Sequence, residues 1–458
     1  MIDLRWGDCR DALRDVPDNS IDCCVTDPPY ELGFMGKAWD SSGIAFDIRV
    51  WAEVLRVLKP GGHLLAFGGT RTYHRMVCAI EDAGFDIRDQ LAWLYGSGFP
   101  KSLDVSKAID DRAGAVRDVI GHRNASGSAC AGPPDDSGSH GWTGNLRSAV
   151  AMTDEAREWS GWGTALKPAQ EPICLARKPI VGTVAANTLR HGTGGINVDA
   201  CRIGHSDPLK TTERTAPRYS GRTMANGQVG GTQSAIASAD PAGRWPANVL
   251  LDETAAALLD EQSGFLASGT SVRRNLGDDG ADQQIDLAPR KQRGPDLPPR
   301  DGGGGASRFF YVAKVSKAER EAGLFTLPRV NAGELTGGRT EGSEGLASPR
   351  AGAGRTSGGR RNIHPTVKPL SLMRYLIRLV CPPDGIVLDP FMGSGSTGCA
   401  AVHEGKHFVG VELGAEHFNI ADARIERSRW FVTSGYDESD DALEAEIVNA
   451  DDDTDESE

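Results

Sequence analysis

Apolar residues near both ends of the chain come in short unbroken runs, separated by stretches where they recur every three or four positions. Residues 1–9 read as a short strand ending in Gly7-Asp8, 11–16 as a helical turn, and Ile21 to Val25 as a strand with the all-round apolarity of a parallel sheet. Phe46 to Leu58 puts Val50, Val54, Leu55 and Leu58 on one helical face and stops at Lys59-Pro60-Gly61-Gly62. His63 to Phe67 is the next strand, Tyr73 to Asp82 a helix closed by Gly84, and Phe85 to Leu94 a strand again. The alternation returns near the C-terminus. A helix over Leu370 to Val380, with Leu372, Leu376 and Leu379 on its buried stripe, breaks at Pro382-Pro383-Asp384-Gly385. A strand from Ile386, a glycine turn and a helix to Glu404 follow, then a strand over Lys406 to Val411 ending in Glu412, then an amphipathic helix from Ala415 to Trp430. Strands alternating with helices predict an α/β fold, a doubly wound and mainly parallel sheet with helices on both faces.

Between Gly96 and Arg361 this pattern thins out. A helix is expected near Leu103 to Arg112 and a core strand at 172–178, with islands at Trp245 to Asp252 and Arg308 to Val312. The expected organisation is two halves of one domain, 1–98 and 362–432, separated by a long irregular insertion, 99–361, and followed by a tail, 433–458. Composition agrees: 39% hydrophobic residues and 57 glycines in 458 suit a folded core plus a glycine-rich region. No apolar run is long enough for a membrane span, and Met1-Ile2-Asp3 does not open a signal peptide, so a cytoplasmic protein is expected. The formal charge of −13 is concentrated from Asp437 onward, where 12 acidic residues occur without Lys or Arg. The body is therefore near neutral and free to present a basic groove, while the acidic tail reads as disordered. The 9 cysteines are scattered without zinc spacing, and no metal is expected.

Two stretches carry chemistry. Asp27-Pro28-Pro29-Tyr30 ends the strand that begins at Ile21. An exocyclic nucleobase amine is a poor nucleophile, and a carboxylate (Asp27) with a fixed carbonyl (Pro28) can accept its two hydrogens. Pro28 and Pro29 stiffen the turn that aims them, and Tyr30 offers a face on which an extruded base can stack. Taken alone, the same four residues are equally a strand followed by a Pro-Pro turn. The second stretch is Asp389-Pro390-Phe391-Met392-Gly393-Ser394-Gly395-Ser396-Thr397, whose small residues let a ligand approach the backbone at a strand end. Glu412 closes the following strand, where a nucleotide-binding sheet places a ribose-binding acid. No Lys follows the glycines, which excludes a P-loop, and Gly393-x-Gly395-x-x-Gly398 lacks the usual context of a nicotinamide fingerprint.

With both stretches in hand the chain resembles the site-specific DNA amino-methyltransferases, on Asp27 to Tyr30 and on Asp389 to Thr397. The catalytic motif precedes the glycine motif, which resembles the circularly permuted beta-class order, in which the first strand completes a sheet begun near the C-terminus. The resemblance implies S-adenosylmethionine as cofactor and double-stranded DNA as partner, and leaves room for a cognate restriction nuclease. It implies catalytic roles for Asp27, Pro28, Pro29 and Tyr30. It implies cofactor contacts by Asp8, by Thr366 and Lys368 of His364-Pro365-Thr366-Val367-Lys368-Pro369, and by Asp389, Phe391, Gly393, Gly395, Ser396, Thr397 and Glu412. Asp before Pro-Pro-Tyr goes mostly with adenine N6, Ser mostly with cytosine N4. The rival readings are cytosine N4, RNA or protein N-methylation, a nicotinamide-dependent oxidoreductase and an inactive DNA-binding module. Trp39 and Trp93 are candidates for either a base pocket or the core. The runs Arg308 to Lys317 and Arg360-Arg361 suit either phosphate contact or solvated surface.

Overall fold

Nine strands hydrogen-bond into one sheet in a computed structural model whose described residues are 1–32, 38–98, 102–123, 129–131, 144–147, 150–204, 243–265, 304–314, 318–330 and 360–434. The acidic tail beyond Asp437, Lys317 and the side chain of Trp39 lie outside the described part. In chain order the strands are β1 Ile2–Trp6, β2 Ile21–Thr26, β3 Leu58–Phe67, β4 Asp86–Leu94, β5 Val119–Arg123, β6 Ala129–Ala131, β7 Gly144–Arg147, β8 Gln170–Arg177, β9 Val249–Asp252, β10 Tyr311–Ala313, β11 Ile386–Asp389 and β12 His407–Glu412. The large sheet runs β1-β12-β11-β2-β3-β8-β4-β9-β10, and β5 to β7 form a small antiparallel sheet of their own. Every pairing in the large sheet is parallel except the two made by β8, which runs against both β3 and β4. The first strand lies beside the last, Ile2 opposite Phe408 through Trp6 opposite Glu412, which is the permuted closure expected from the motif order.

Helices cover both faces. On one side Ile48–Val57 buries Val50, Trp51, Val54 and Val57, a single stripe at helical spacing, and Asp47 caps it by accepting from the Arg49 amide at 3.0 Å. On the other side Leu370–Val380 and Ser396–His403 pack on each other and are buried nearly all round, with Ala415–Ser434 outside the second and Asp199–Cys201 against the first. The two cores are separate, one around Leu65, Leu376 and Phe408, the other around Trp51, Leu64 and Ile80.

The structure departs from the sequence expectation in three places. Lys59-Pro60-Gly61-Gly62 does end a helix, but it opens no loop: β3 starts at Leu58 and bulges there, so that Ile21 faces Leu58 while Cys23 faces His63. Gly62 is required by the close backbone, since a Cβ would lie 2.9 Å from the Asp22 carbonyl oxygen. The middle of the chain supplies β9 and β10 to the sheet in addition to β8. It also supplies the helices Val184–His191 and Glu253–Ser263, neither of which the periodicity shows.

Candidate active site

β11 leads through Ser396–His403 to β12, toward one edge of the sheet, whereas β2 leads through Ile48–Val57 to β3, toward the other. The strand order therefore reverses between β11 and β2, and the crevice beyond their C-terminal ends is where an open α/β sheet binds ligands. Both motifs sit there.

A buried carboxylate ties them together. Asp389, 2% exposed, accepts from Thr26 Oγ1 at 2.6 Å, from Thr397 Oγ1 at 2.5 Å and from the Phe391 amide at 3.0 Å. Burial pushes its pKa up to about 6, even though these hydroxyls favour the ionised form. Asp389 and Thr397 are thus turned toward each other and toward the residue before Asp27, and they brace the two turns. Ser394 and Ser396 are engaged from behind by Arg424, whose Nη1 lies 3.1 Å and 3.3 Å from their hydroxyls. The glycines are shaped by their neighbours as well. Gly393 and Gly395 have φ of +55° and +81°, and a Cβ would meet the His364 ring at the first and the Ala421 backbone at the second. Phe391 is half-buried, its ring 6.3 Å from that of Trp51.

Glu412 ends β12 and accepts one amide on each oxygen, Gly393 at 2.9 Å and Gly414 at 2.8 Å. Burial opposes its charge, but the His417 ring and these amides hold its pKa below the usual carboxylate range. Two amide bonds leave a carboxylate further lone-pair capacity, enough to accept from a ribose diol. Asp8, just past β1, is held by Arg10, which donates to it from its amide and its guanidinium. Thr366 is exposed, and its carbonyl oxygen lies 2.7 Å from His364 Nδ1. Burial, with His417 alongside, lowers the His364 pKa to about 3, so the ring is neutral and Nδ1 donates.

The acceptor side differs more from expectation. Lys368, read from sequence as a cofactor contact, lies against Asp27: its Nζ is 2.7 Å from Oδ2, and the side chain is 7% exposed. Nζ is also 3.2 Å from Glu171 Oε2 and donates to the Tyr30 hydroxyl at 3.2 Å, while that hydroxyl donates to Glu171 Oε2 at 2.9 Å. Burial disfavours the ammonium, yet Asp27 and Glu171 outweigh it and raise the Lys368 pKa. Asp27 Oδ1, by contrast, is buried and has no hydrogen-bond partner among the described residues. Tyr30 is fixed at its main chain too, its carbonyl accepting from Thr72 Oγ1 at 2.6 Å, and Pro28 is buried beneath the turn.

Glu171 was not visible in the sequence. It reaches the site because β8 is antiparallel, so the start of this strand lies where its neighbours end. Trp93 belongs to the core, with its indole Nε1 unpartnered. Arg308 precedes β10, a strand parallel to β2, and so lies at the opposite end of the sheet from Asp27. Arg361 is folded into the body, its amide donating to Glu321 at 2.9 Å. Among the described residues, no group of three or more His, Cys, Asp or Glu could hold a metal ion, and no helix is long and apolar enough to cross a membrane.

The chain is similar to several known proteins. The type II methyltransferase M.ScaI of Streptomyces caespitosus is 38% identical over 76 residues, covering 17% of this chain and 25% of that protein. The match thus spans a quarter of the relative's length. Among solved structures, the cytosine-N4-specific PvuII DNA methyltransferase aligns over 96% of this chain and 89% of its own, at 13% identity and a TM-score of 0.38. The M1.HpyAVI–SAM complex aligns over 93% and 99%, at 14% identity and a TM-score of 0.34. A family model described as DNA methylase matches residues 21–113 and 241–423, more than half of the chain and inclusive of both motifs. The chain belongs to the N6/N4 DNA methylase family.

Proposed function

We propose that this protein methylates adenine N6 of a flipped-out base in double-stranded DNA, with S-adenosylmethionine as donor. The observation that carries the reading is the state of Asp27: one carboxylate oxygen is fixed by Lys368 and the other is buried without a partner among the described residues, on a turn stiffened by two prolines. A buried acceptor left unpaired costs about 1–3 kcal/mol, and an amine N–H removes that cost on arrival. The bound amine therefore gains an interaction that water cannot easily supply.

The residues present suit the donor. Glu412 offers a carboxylate to a ribose at the end of β12, next to the switch point, held in place by the Gly393 and Gly414 amides and the His417 ring. When bound, S-adenosylmethionine supplies a sulfonium methyl group, which is already electrophilic. Asp27 Oδ1 and the Pro28 carbonyl would hold the two amine hydrogens and draw the nitrogen lone pair out of the ring. The lone pair so exposed would be the group alkylated, the donor keeping the electrons of its C–S bond. The surplus amine proton leaves along its hydrogen bond to Asp27 and passes to solvent. Tyr30, pinned at its hydroxyl and carbonyl, gives the flipped base a preset surface. No covalent enzyme intermediate is needed, and positioning and electrostatics carry the rate.

Adenine is favoured by Asp, in place of Ser, before Pro28-Pro29-Tyr30. The test is to methylate unmodified duplex DNA with labelled cofactor, digest it to nucleosides and identify the product by mass. N6-methyladenine supports the reading, N4-methylcytosine alone overturns the base assignment, and 5-methylcytosine overturns the chemistry.

A further inference from the structure

The acceptor site contains two carboxylates and one ammonium in mutual contact. Lys368 Nζ lies 2.7 Å from Asp27 and 3.2 Å from Glu171, and Tyr30 closes the ring by accepting from Lys368 and donating to Glu171. The stoichiometry is informative. An Asp27–Lys368 pair alone would be neutral, and a carboxylate neutralised at 2.7 Å is a weak acceptor for an amine that is becoming positive. Glu171 makes a second claim on the same ammonium, so the cluster carries one net negative charge.

We propose that Glu171 is a positioning residue for methyl transfer: by sharing Lys368 with Asp27, it leaves an uncompensated negative charge facing the amine nitrogen. Positive charge passes to that nitrogen as the N–C bond forms, and a preset charge in a site shielded from water acts on it strongly. Lys368 keeps Asp27 Oδ2 fixed so that only Oδ1 is offered, and Glu171 prevents this fixing from cancelling the acceptor. Glu171 acts through Lys368 and Tyr30, both of which its Oε2 contacts. The inference rests on the assignment of Asp27 as the amine acceptor.

Single-turnover transfer from labelled S-adenosylmethionine to unmodified duplex DNA tests it, with cofactor affinity measured by calorimetry and folding by thermal melting. Glu171→Gln is expected to bind the cofactor like the parent and to lose on the order of 10²-fold in transfer rate. Glu171→Asp keeps the charge and is expected to recover most of that loss. Adding Lys368→Met to Glu171→Gln is expected to raise the rate above that of Glu171→Gln alone, because Asp27 regains its uncancelled charge. A purely structural role predicts the reverse order, with the double variant slowest, and that result overturns the proposal, as does a parental rate in Glu171→Gln. If Glu171→Gln does not fold, Glu171→Asp decides: a rate within about tenfold of the parent supports the proposal, and a loss as large as that of Asp27→Ala overturns it. Asp27→Ala separates the two levels. Retained transfer there removes the acceptor assignment itself, whereas an inactive Asp27→Ala beside a fully active Glu171→Gln removes only the role of Glu171.

Discussion

Gly395→Ala distinguishes a glycine turn shaped by its own packing from one shaped by a ligand. Gly395 precedes the Ser396–His403 helix at φ +81°, and a Cβ there would lie 2.9 Å from Ala421 Cα and 3.0 Å from Ala421 Cβ, on Ala415–Ser434. The left-handed conformation costs an L residue about 1–2 kcal/mol. A methyl group forced into a filled contact costs about 1–3 kcal/mol more, and here the neighbour is helix backbone, which cannot swing aside as a side chain can. The expected loss is about 2–5 kcal/mol, a large part of the ~5–15 kcal/mol that holds a typical protein folded. Gly393→Ala is the internal control. Its φ of +55° carries the same conformational cost, but its Cβ would meet the His364 ring, which is held by one bond from Nδ1 to the Thr366 carbonyl and can tilt. Its loss should stay near the ~1–2 kcal/mol of conformation alone. Urea unfolding followed by circular dichroism, alongside calorimetric titration with S-adenosylmethionine, measures both. A Gly395→Ala protein with the parental unfolding midpoint and no cofactor binding would refute the packing argument and return the glycine to the ligand.

Three further outcomes follow from the same geometry. Asp27→Ala should leave cofactor affinity unchanged, because Asp27 and Glu412 close different strands, while transfer drops on the order of 10³-fold or more; substantial transfer in that variant would end its proposed role. Tyr30→Phe removes the hydroxyl that joins Lys368 to Glu171 and should cost about 0.5–1.5 kcal/mol of stability while leaving the KM for DNA unchanged, since the ring face remains; a large rise in KM would contradict this. Asp389 should give a pH signature. Burial raises its folded pKa to about 6, so between about pH 4 and 6 the folded state keeps a proton that the unfolded state has lost. Stability therefore falls as pH rises through that window and levels above it. The difference in melting temperature between parent and Asp389→Asn should change between pH 4.5 and 6.5, and a constant difference would refute the assignment.

Legibility in the sequence followed the range of the interactions involved. Leu370–Val380 was readable to the residue because its stripe is long and ends against two prolines. The strands β2, β11 and β12 were readable because strands buried on both faces are mostly apolar runs, broken in β2 only by the buried Asp22 before its terminal Thr26. Glu253–Ser263 was missed although Asp252 caps it, accepting from the Ala255 amide at 2.6 Å: its outward face carries Leu258, 48% exposed, so no apolar stripe stands out. Val184–His191 was missed for its brevity, despite a Thr183 cap and Gly192 at φ +74°. In the site, Asp27 to Tyr30 and Glu412 were visible as motifs at strand ends. The partners of Lys368 were not, because they depend on which strands lie side by side and in which direction. The direction of β8 is set by a crossover through residues whose local pattern specifies no orientation, and Glu171 takes its meaning only from that direction.

That contrast explains how this chain tolerates both its permuted order and its long middle. Thr26 and Asp389 are 363 residues apart in sequence and 2.6 Å apart in space, joined through the pairing of Val387 with Cys23 and Leu388 with Cys24. What the site requires is that the ends of β12, β11 and β2 stand side by side, and continuity of the chain between them is immaterial. The start of the chain can therefore seat itself at the edge, with the Met1 carbonyl accepting from the Phe408 amide at 3.1 Å, without disturbing either motif. The middle of the chain extends the sheet on the other side, adding β8, β9 and β10 around β4, away from the glycine turn. Among the described residues it brings Glu171 to Lys368, on the reversed strand beside β3, and Glu319 Oε2 to the Leu370 amide at 3.1 Å. Changes around β9 and β10 thus lie away from Asp27 in the sheet, whereas the direction and register of β8 decide whether Glu171 reaches Lys368.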